Sequence, residues 1–229
     1  MKTRGERYFI RLPRFGARLY DRFLSAEPIQ ARIAEIADDI VSRTASGKLL
    51  DVGTGPGRLL IEINRLNPAL ELFGLDVSAS MIDVARSNLQ NIPAHLRAGS
   101  IRRTDYESDF FTAVTSVGSF YLWDYPEESL EEIFRLLRKG GSAYLFEVYK
   151  DINETEYRNA LKKNLRQLDW IRRFVGPFAL RKSLKMSYRT EEFVRIIEKT
   201  SFAGSYTIEK VKLSELPMWA RITLKKMPS

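Results

Sequence analysis

The chain has 229 residues, of which 44% are hydrophobic and 29% charged, the profile of one globular domain long enough to bury a core. It has no cysteine and one histidine, His95, which excludes a disulfide framework, thiolate zinc, iron–sulfur ligation, a cysteine nucleophile and a histidine-rich metal site. Lys plus Arg number 37 and Asp plus Glu 29, a net charge of +8, and no apolar run approaches the ~18 residues of a membrane span.

The opening stretch, MKTRGERYFIRLPRF, lacks the apolar core of a secretory signal, so a cytoplasmic location is expected. Ile29, Ile33, Ile36 and Ile40 repeat at helical spacing and predict an amphipathic helix over 28–45, stopped by Ser46-Gly47. Residues 48–52 form a short apolar run read as a buried strand, and 58–63 then take a helical period ending before Pro68. Residues 70–75 predict a second strand closed by Asp76, and Ser78 can cap the helix that follows. Residues 95–98 and 110–117 read as strands three and four. Residues 127–138 read as a helix with acids first and bases last, ended by Lys139-Gly140-Gly141, and 142–148 as strand five. Strands alternating with helices at this spacing imply a doubly wound, mostly parallel α/β sheet.

After Val148 the alternation breaks. Tyr157, Leu161, Leu165, Leu168, Ile171 and Val175 predict a long helix over 152–175, followed by Gly176-Pro177 and a basic stretch. A last helix over 190–199 precedes two β-like runs, 206–213 and 220–225. The organisation expected is a single domain over 1–229, with a basic N-terminal segment (1–27) and a helical insertion near 151–189.

The strongest motif is Leu49-Leu50-Asp51-Val52-Gly53-Thr54-Gly55-Pro56-Gly57, between a strand and a helix. Glycines there allow a tight turn and close ligand approach, and the free N–H groups at the helix start attract an anion. Asp76, at the end of the second strand, can accept hydrogen bonds from two ribose hydroxyls. A dinucleotide-binding dehydrogenase is the rival reading, but its G-x-G-x-x-G fingerprint is replaced here by G-x-G-x-G followed by Arg58.

On these residues the sequence resembles the class I S-adenosylmethionine-dependent methyltransferases, in particular the methyltransferase domain 11 branch that includes quinone-biosynthesis enzymes. The resemblance runs from about Tyr20 to the C-terminus. It implies a Rossmann-like seven-stranded sheet with a reversed last strand, and S-adenosylmethionine as cofactor. The cofactor set it implies is Asp51, Gly53, Thr54, Gly55 and Gly57 in the first motif, Asp76 and Val77 at the ribose, Met81 beside adenine, Ser100 and Ile101 after strand three, and Val117 ending strand four. Tyr20, in the segment Ala17–Phe23, matches a residue that closes over the cofactor. Two departures stand out: Ser100 replaces a frequent acidic residue near adenine, and Phe120-Tyr121-Leu122-Trp123 contains no histidine.

Methyl transfer from a sulfonium is an in-line displacement at an activated carbon, so the protein mainly positions the nucleophile. A base is needed only for a protonated phenol or enol. Tyr121 and Asp124, after strand four, are the candidate catalytic residues, whereas His95 is expected at the wrong edge of the sheet. No metal ligand set exists, so no metal is expected. Residues 1–24 carry seven basic and two acidic groups, and residues 158–190 ten basic groups against Asp169 alone, around an acidic body. The resemblance implies that both segments roof the substrate pocket. The acceptor expected is small, anionic or lipid- or quinone-like, reached in part at an anionic membrane surface. RNA or protein methylation, and a non-catalytic cofactor-binding module, remain alternatives.

Overall fold

A computed structural model describes residues 13–166 and 180–228. Pro13 precedes α1 (Arg14–Leu24), and α2 (Glu27–Arg43) follows with Pro28 in its first turn, where a missing N–H costs nothing. Then come β1 (Gly47–Val52), α3 (Arg58–Leu66), β2 (Leu70–Asp76), α4 (Ala79–Asn88), β3 (Ala94–Ala98) and β4 (Phe111–Val117). A 3-10 turn at Phe120–Leu122 leads to α5 (Pro126–Leu136) and β5 (Leu137–Val148). The insertion contributes α6 (Glu154–Leu165) and a helical stretch at 180–186, after which α7 (Thr190–Ile197), β6 (Tyr206–Leu213) and β7 (Leu216–Lys225) complete the chain.

The seven strands lie in the order β3-β2-β1-β4-β5-β7-β6. β1 to β5 are mutually parallel, and β7 runs antiparallel between β5 and β6. The apolar runs of β1 and β4 are covered on both faces: Leu50, Val114 and Leu145 belong to one buried cluster, and Leu49, Ala113 and Phe146 to the other. Two faces needing cover explain why these strands read as continuous apolar runs. Chain order reverses between β1 and β4, and ligands in open α/β sheets bind outside the strand ends at such a point.

One expected boundary is corrected. Residues 137 and 138 are extended rather than helical, and 139–141 continue the strand rather than end a helix, because Leu137 is fully buried and pairs with Phe111. The strand then bulges through Gly140, at φ +75°, before regular pairing resumes at Ser142. Arg4, Arg7, Tyr8, Arg11 and Leu12 of the basic N-terminal stripe, and Leu168, Ile171, Val175, Gly176 and Pro177 of the insertion, lie outside the described residues. Among the described residues no helix is long and apolar enough to cross a membrane.

Candidate cofactor and acceptor site

A cleft opens at the C-terminal ends of β1, β2 and β4, about 710 Å³ counted out to its mouth. From β1 and its loop come Val52, Gly53 and Gly55. From β2 and the start of α4 come Leu75, Asp76, Val77 and Met81. The turn after β3 adds Gly99 and Ile101, the turn after β4 adds Val117 to Ser119 and Tyr121 to Trp123, and α1 adds Tyr20.

The loop is built around Asp76. Its Oδ2 accepts the Gly55 N–H at 2.8 Å and its Oδ1 the Ser78 N–H at 2.8 Å. Burial raises the Asp76 carboxyl, and these two bonds pull the other way. Each carboxylate oxygen keeps a free lone pair for a ligand hydroxyl. Gly53 and Thr54 donate their N–H groups to the Leu75 carbonyl at 2.8 and 3.0 Å, pinning the loop to β2. Gly55 has φ +53°, and a Cβ there would meet nothing nearer than the Gly53 carbonyl at 4.0 Å, so the backbone faces open space. Gly57 behaves differently. It begins α3 with φ +79°, and a Cβ would stand 2.7 Å from Leu89, so its role is the packing of α3 on α4.

Asp51 and Thr54 lie behind the wall rather than on it, both buried, and Thr54 Oγ1 has no hydrogen-bond partner. Burial pushes the Asp51 carboxyl up to about 7; the nearby Thr54 hydroxyl opposes the shift without forming a well-aligned bond, and Asp76 adds to it. Ser100 is off the wall and accepts the Arg102 N–H at 3.2 Å, whereas Gly99 and Ile101 line the cleft.

α1 closes one side. Arg58, at the first turn of α3, grips Asp21 of α1 with two bonds of 2.7 and 3.0 Å. Asn88 Nδ2 ties Asp21 Oδ1 (3.1 Å) to the Pro56 carbonyl (3.0 Å). Arg58 thus stands where a dinucleotide fingerprint would differ because it latches this helix to the glycine loop. Tyr20 is directed into the cleft; burial of its hydroxyl end, then Tyr121 and Asp76, push the phenol far above its ordinary value.

On the opposite side Tyr121 lines the cleft, and its hydroxyl lies 3.5 Å from Ser183 Oγ in the insertion. Burial raises this phenol as well, so it is a protonated hydrogen-bonding group and not an anion at neutral pH. Asp124 does not line the cleft, and its Oδ1 is buried without a partner. His95 sits near the start of β3, stacked on Phe73 at 4.6 Å, far from the strand ends that build the site.

The residue that sequence reading passed over is Glu147, near the end of β5 and 0% exposed. Its Oε1 accepts the N–H groups of Ser119 and Phe120, both at 2.9 Å, and so fixes the turn that carries Tyr121. Burial pushes its carboxyl up to about 8, against the pull of those bonds. Asp51 and Glu147 therefore keep protons in the folded state that the unfolded chain, near 3.8 and 4.5, has released. Stability should fall as pH rises from about 4.5 to about 8 and then level off. Thermal melts between pH 5 and 8.5 should show that fall, and Glu147→Gln should flatten part of it; an unchanged slope would refute the assignment.

Residues 49–141 match the family model described as a methyltransferase domain. A demethylmenaquinone methyltransferase from Deinococcus radiodurans is 31% identical over 102 residues, covering 44% of this chain and 42% of the relative. An uncharacterized methyltransferase from Bacillus subtilis is 29% identical over 100 residues, covering 44% of this chain and 55% of the relative. These matches support a class I S-adenosylmethionine-dependent methyltransferase domain over residues 49–141. The chain spans about half the length of these curated relatives. The fold match extends well beyond residues 49–141. A Methanococcus maripaludis protein assigned to the S-adenosylmethionine-dependent methyltransferases superposes with a TM-score of 0.72, at 21% identity, covering 96% of this chain and 95% of the other. The plantazolicin methyltransferase BamL, solved with a substrate analogue and SAH (S-adenosylhomocysteine), gives 0.71 at 17% identity, covering 96% and 94%.

The cleft fits the family's cofactor. Open space at Gly55, a buried carboxylate with lone pairs to spare, and Met81 with Ile101 on the adjoining wall match a nucleoside carrying a short polar tail.

Proposed function

We propose that this chain binds S-adenosylmethionine in the cleft and transfers its methyl group to a small, anionic, lipid- or quinone-like acceptor. The observation that carries the reading is the glycine cradle closed on Asp76. When bound, the cofactor supplies an electrophilic methyl group on a sulfonium. Asp76 would hold the ribose, Gly53 and Gly55 would admit the methionine half, and Met81 and Ile101 would flank adenine. Tyr20 and the Asp21–Arg58 latch exclude water from one side. Tyr121, held protonated, offers a hydrogen bond to an acceptor oxygen and orients it. The burial that raises Tyr121 makes it a poor base, so rate enhancement here comes from position.

The acceptor class rests on chemistry at the mouth. On α1, Ala17 is fully buried against the protein while Phe15 and Leu19 are 78% and 59% exposed beside exposed Arg18. An apolar and cationic outer face on a helix whose inner face borders the cleft suits an anionic bilayer that delivers an amphipathic acceptor. Relatives named for demethylmenaquinone and for 2-methyl-6-phytyl-1,4-hydroquinone support a lipid-like acceptor. One named for a release-factor glutamine represents the protein alternative.

The test supplies methyl-tritiated S-adenosylmethionine together with lipid extract, RNA and protein, and follows the label. Label in the organic phase is expected. Label in precipitated RNA or protein would overturn the acceptor class. Binding without any transfer would leave a non-catalytic module. Flotation with phosphatidylglycerol vesicles should carry the wild type upward and lose the Phe15→Ser, Leu19→Ser double variant; no flotation would overturn the membrane contact.

A further inference from the structure

Three buried hydrogen-bond donors stand without an acceptor around β7: Nε of Arg32, the indole nitrogen of Trp219 and the hydroxyl of Tyr157. Trp219 is 7% and Tyr157 4% exposed, and both belong to one packed cluster in which α6 lies against β7. Arg32, in the second turn of α2, places its guanidinium 5.5 Å from the Trp219 ring centroid. It forms no ion pair among the described residues. Glu35, one turn on, acts on it electrostatically but directs its oxygens to Ser214, at 2.8 Å to the N–H and 3.3 Å to the hydroxyl.

A half-buried guanidinium whose Nε has no acceptor and two buried neutral donors without acceptors are each costly, and neighbouring acceptors normally satisfy them. Here every unmet group in the trio can donate, and two of them, the guanidinium and the indole, can only donate. A lining rich in donors suits an oxyanion, and guanidinium is the side chain best shaped for carboxylate or phosphate. Burial lowers Arg32 only to about 10, so it stays cationic at neutral pH. Glu154 and Arg181, from the 180–186 stretch, act on Tyr157 with opposite signs. Glu147 precedes the Val148 that pairs with Trp219, so on the pleated strand its side chain points to the opposite face of the sheet.

Trp219 carries the trio up to the edge of the cleft. Trp219 Cη2 lies 3.9 Å from the position a Cβ would take on Gly118, and Gly118 lines the cleft.

We propose that Arg32, Tyr157 and Trp219 form an acceptor subsite that binds a carboxylate or phosphate group of the methyl acceptor, beyond Gly118 from the cofactor. The inference rests on the methyl-transfer reading and names the part of the acceptor the site would select.

The test is calorimetry on the full chain saturated with S-adenosylhomocysteine, using octanoate, octyl phosphate and octanol as probes. At least one of the two anions should bind saturably and at least tenfold more tightly than octanol, and the preferred anion identifies the oxyanion. Arg32→Gln should weaken that binding tenfold or more and Arg32→Lys should restore part of it, with S-adenosylhomocysteine affinity unchanged in both. A wild type that binds S-adenosylhomocysteine but no anion, or an Arg32→Gln variant that binds the anion normally, would overturn the subsite. Failure to bind S-adenosylhomocysteine at all would overturn the cleft reading and the subsite with it. A ligand-free measurement separates binding from architecture: Arg32→Met should melt at or above the wild-type temperature, because it removes a half-buried guanidinium whose Nε has no acceptor. A clear drop would show that Arg32 is structural and would also overturn the proposal.

Discussion

Asp76→Ala is expected to weaken S-adenosylhomocysteine binding by about 100-fold or more, the largest effect of any single side chain in the cleft. Both carboxylate oxygens already accept a main-chain N–H, from Gly55 and Ser78, which fixes the group's direction before any ligand arrives. Two further charge-assisted bonds to hydroxyls are worth roughly 1.5–3 kcal/mol each, and about 3 kcal/mol in total is already more than 100-fold. Alanine also strands the Gly55 and Ser78 donors, so the cradle itself should loosen. Asp76→Asn discriminates the two contributions. It keeps one carbonyl oxygen but turns an amide NH₂ toward a main-chain donor, so it should lose affinity by an intermediate factor. Calorimetry on the three proteins checks this. Retention of affinity within threefold in the alanine variant would show that the cradle holds no ribose.

Much of this site was legible from spacing. Gly53, Gly55 and Asp76 could be placed because the loop and the acid each close a strand whose apolar run marks it as buried, and parallel neighbours bring their ends together. Tyr20 was reachable only through family resemblance, since nothing in Ala17–Phe23 says that Asp21 will meet Arg58. The boundary at Leu137 was missed for a physical reason. Leu136-Leu137-Arg138-Lys139 satisfies a helical period, and only the pairing of Leu137 with Phe111, some 26 residues earlier in sequence, selects the extended form. Glu147 and Arg32 were illegible for the same reason. A glutamate near the end of a strand and an arginine in an amphipathic helix read as solvated charges until the fold buries them. Gly118 was a signal available and unused: a glycine directly after a strand marks a turn at the binding edge, here at φ +61°.

Three glycines at positive φ, two at this edge and one remote from it, allow binding and stability to be pulled apart. Gly53→Ala should cost both. Its φ of +74° carries the left-handed penalty of about 1–2 kcal/mol for a side chain. The new Cβ would also stand 2.6 Å from Cβ and Oγ of Ser119. Ser119 has little room to yield, because its N–H is held by Glu147 and its hydroxyl lies 2.6 Å from Ser116 Oγ and 3.2 Å from the Val52 carbonyl. Overpacking of that kind adds about 1–3 kcal/mol, so the total is roughly 2–5 kcal/mol. At roughly 2–4 °C per kcal/mol for a chain of this size, the melting temperature should fall by about 4–20 °C. Cofactor affinity should fall with it, since Gly53 and Ser119 both border the cleft. Gly55→Ala carries a similar backbone penalty at φ +53° but meets no protein atom, so it should melt only a few degrees low while losing affinity tenfold or more, its methyl occupying the ligand's space. Gly140→Ala, at φ +75° with nothing within 4 Å and far along β5 from the cleft, should share the modest melting penalty and bind S-adenosylhomocysteine normally. Equal affinity losses at Gly55 and Gly140 would mean that the loop's effect on binding is mediated by stability, and the cradle would lose its claim to contact the cofactor.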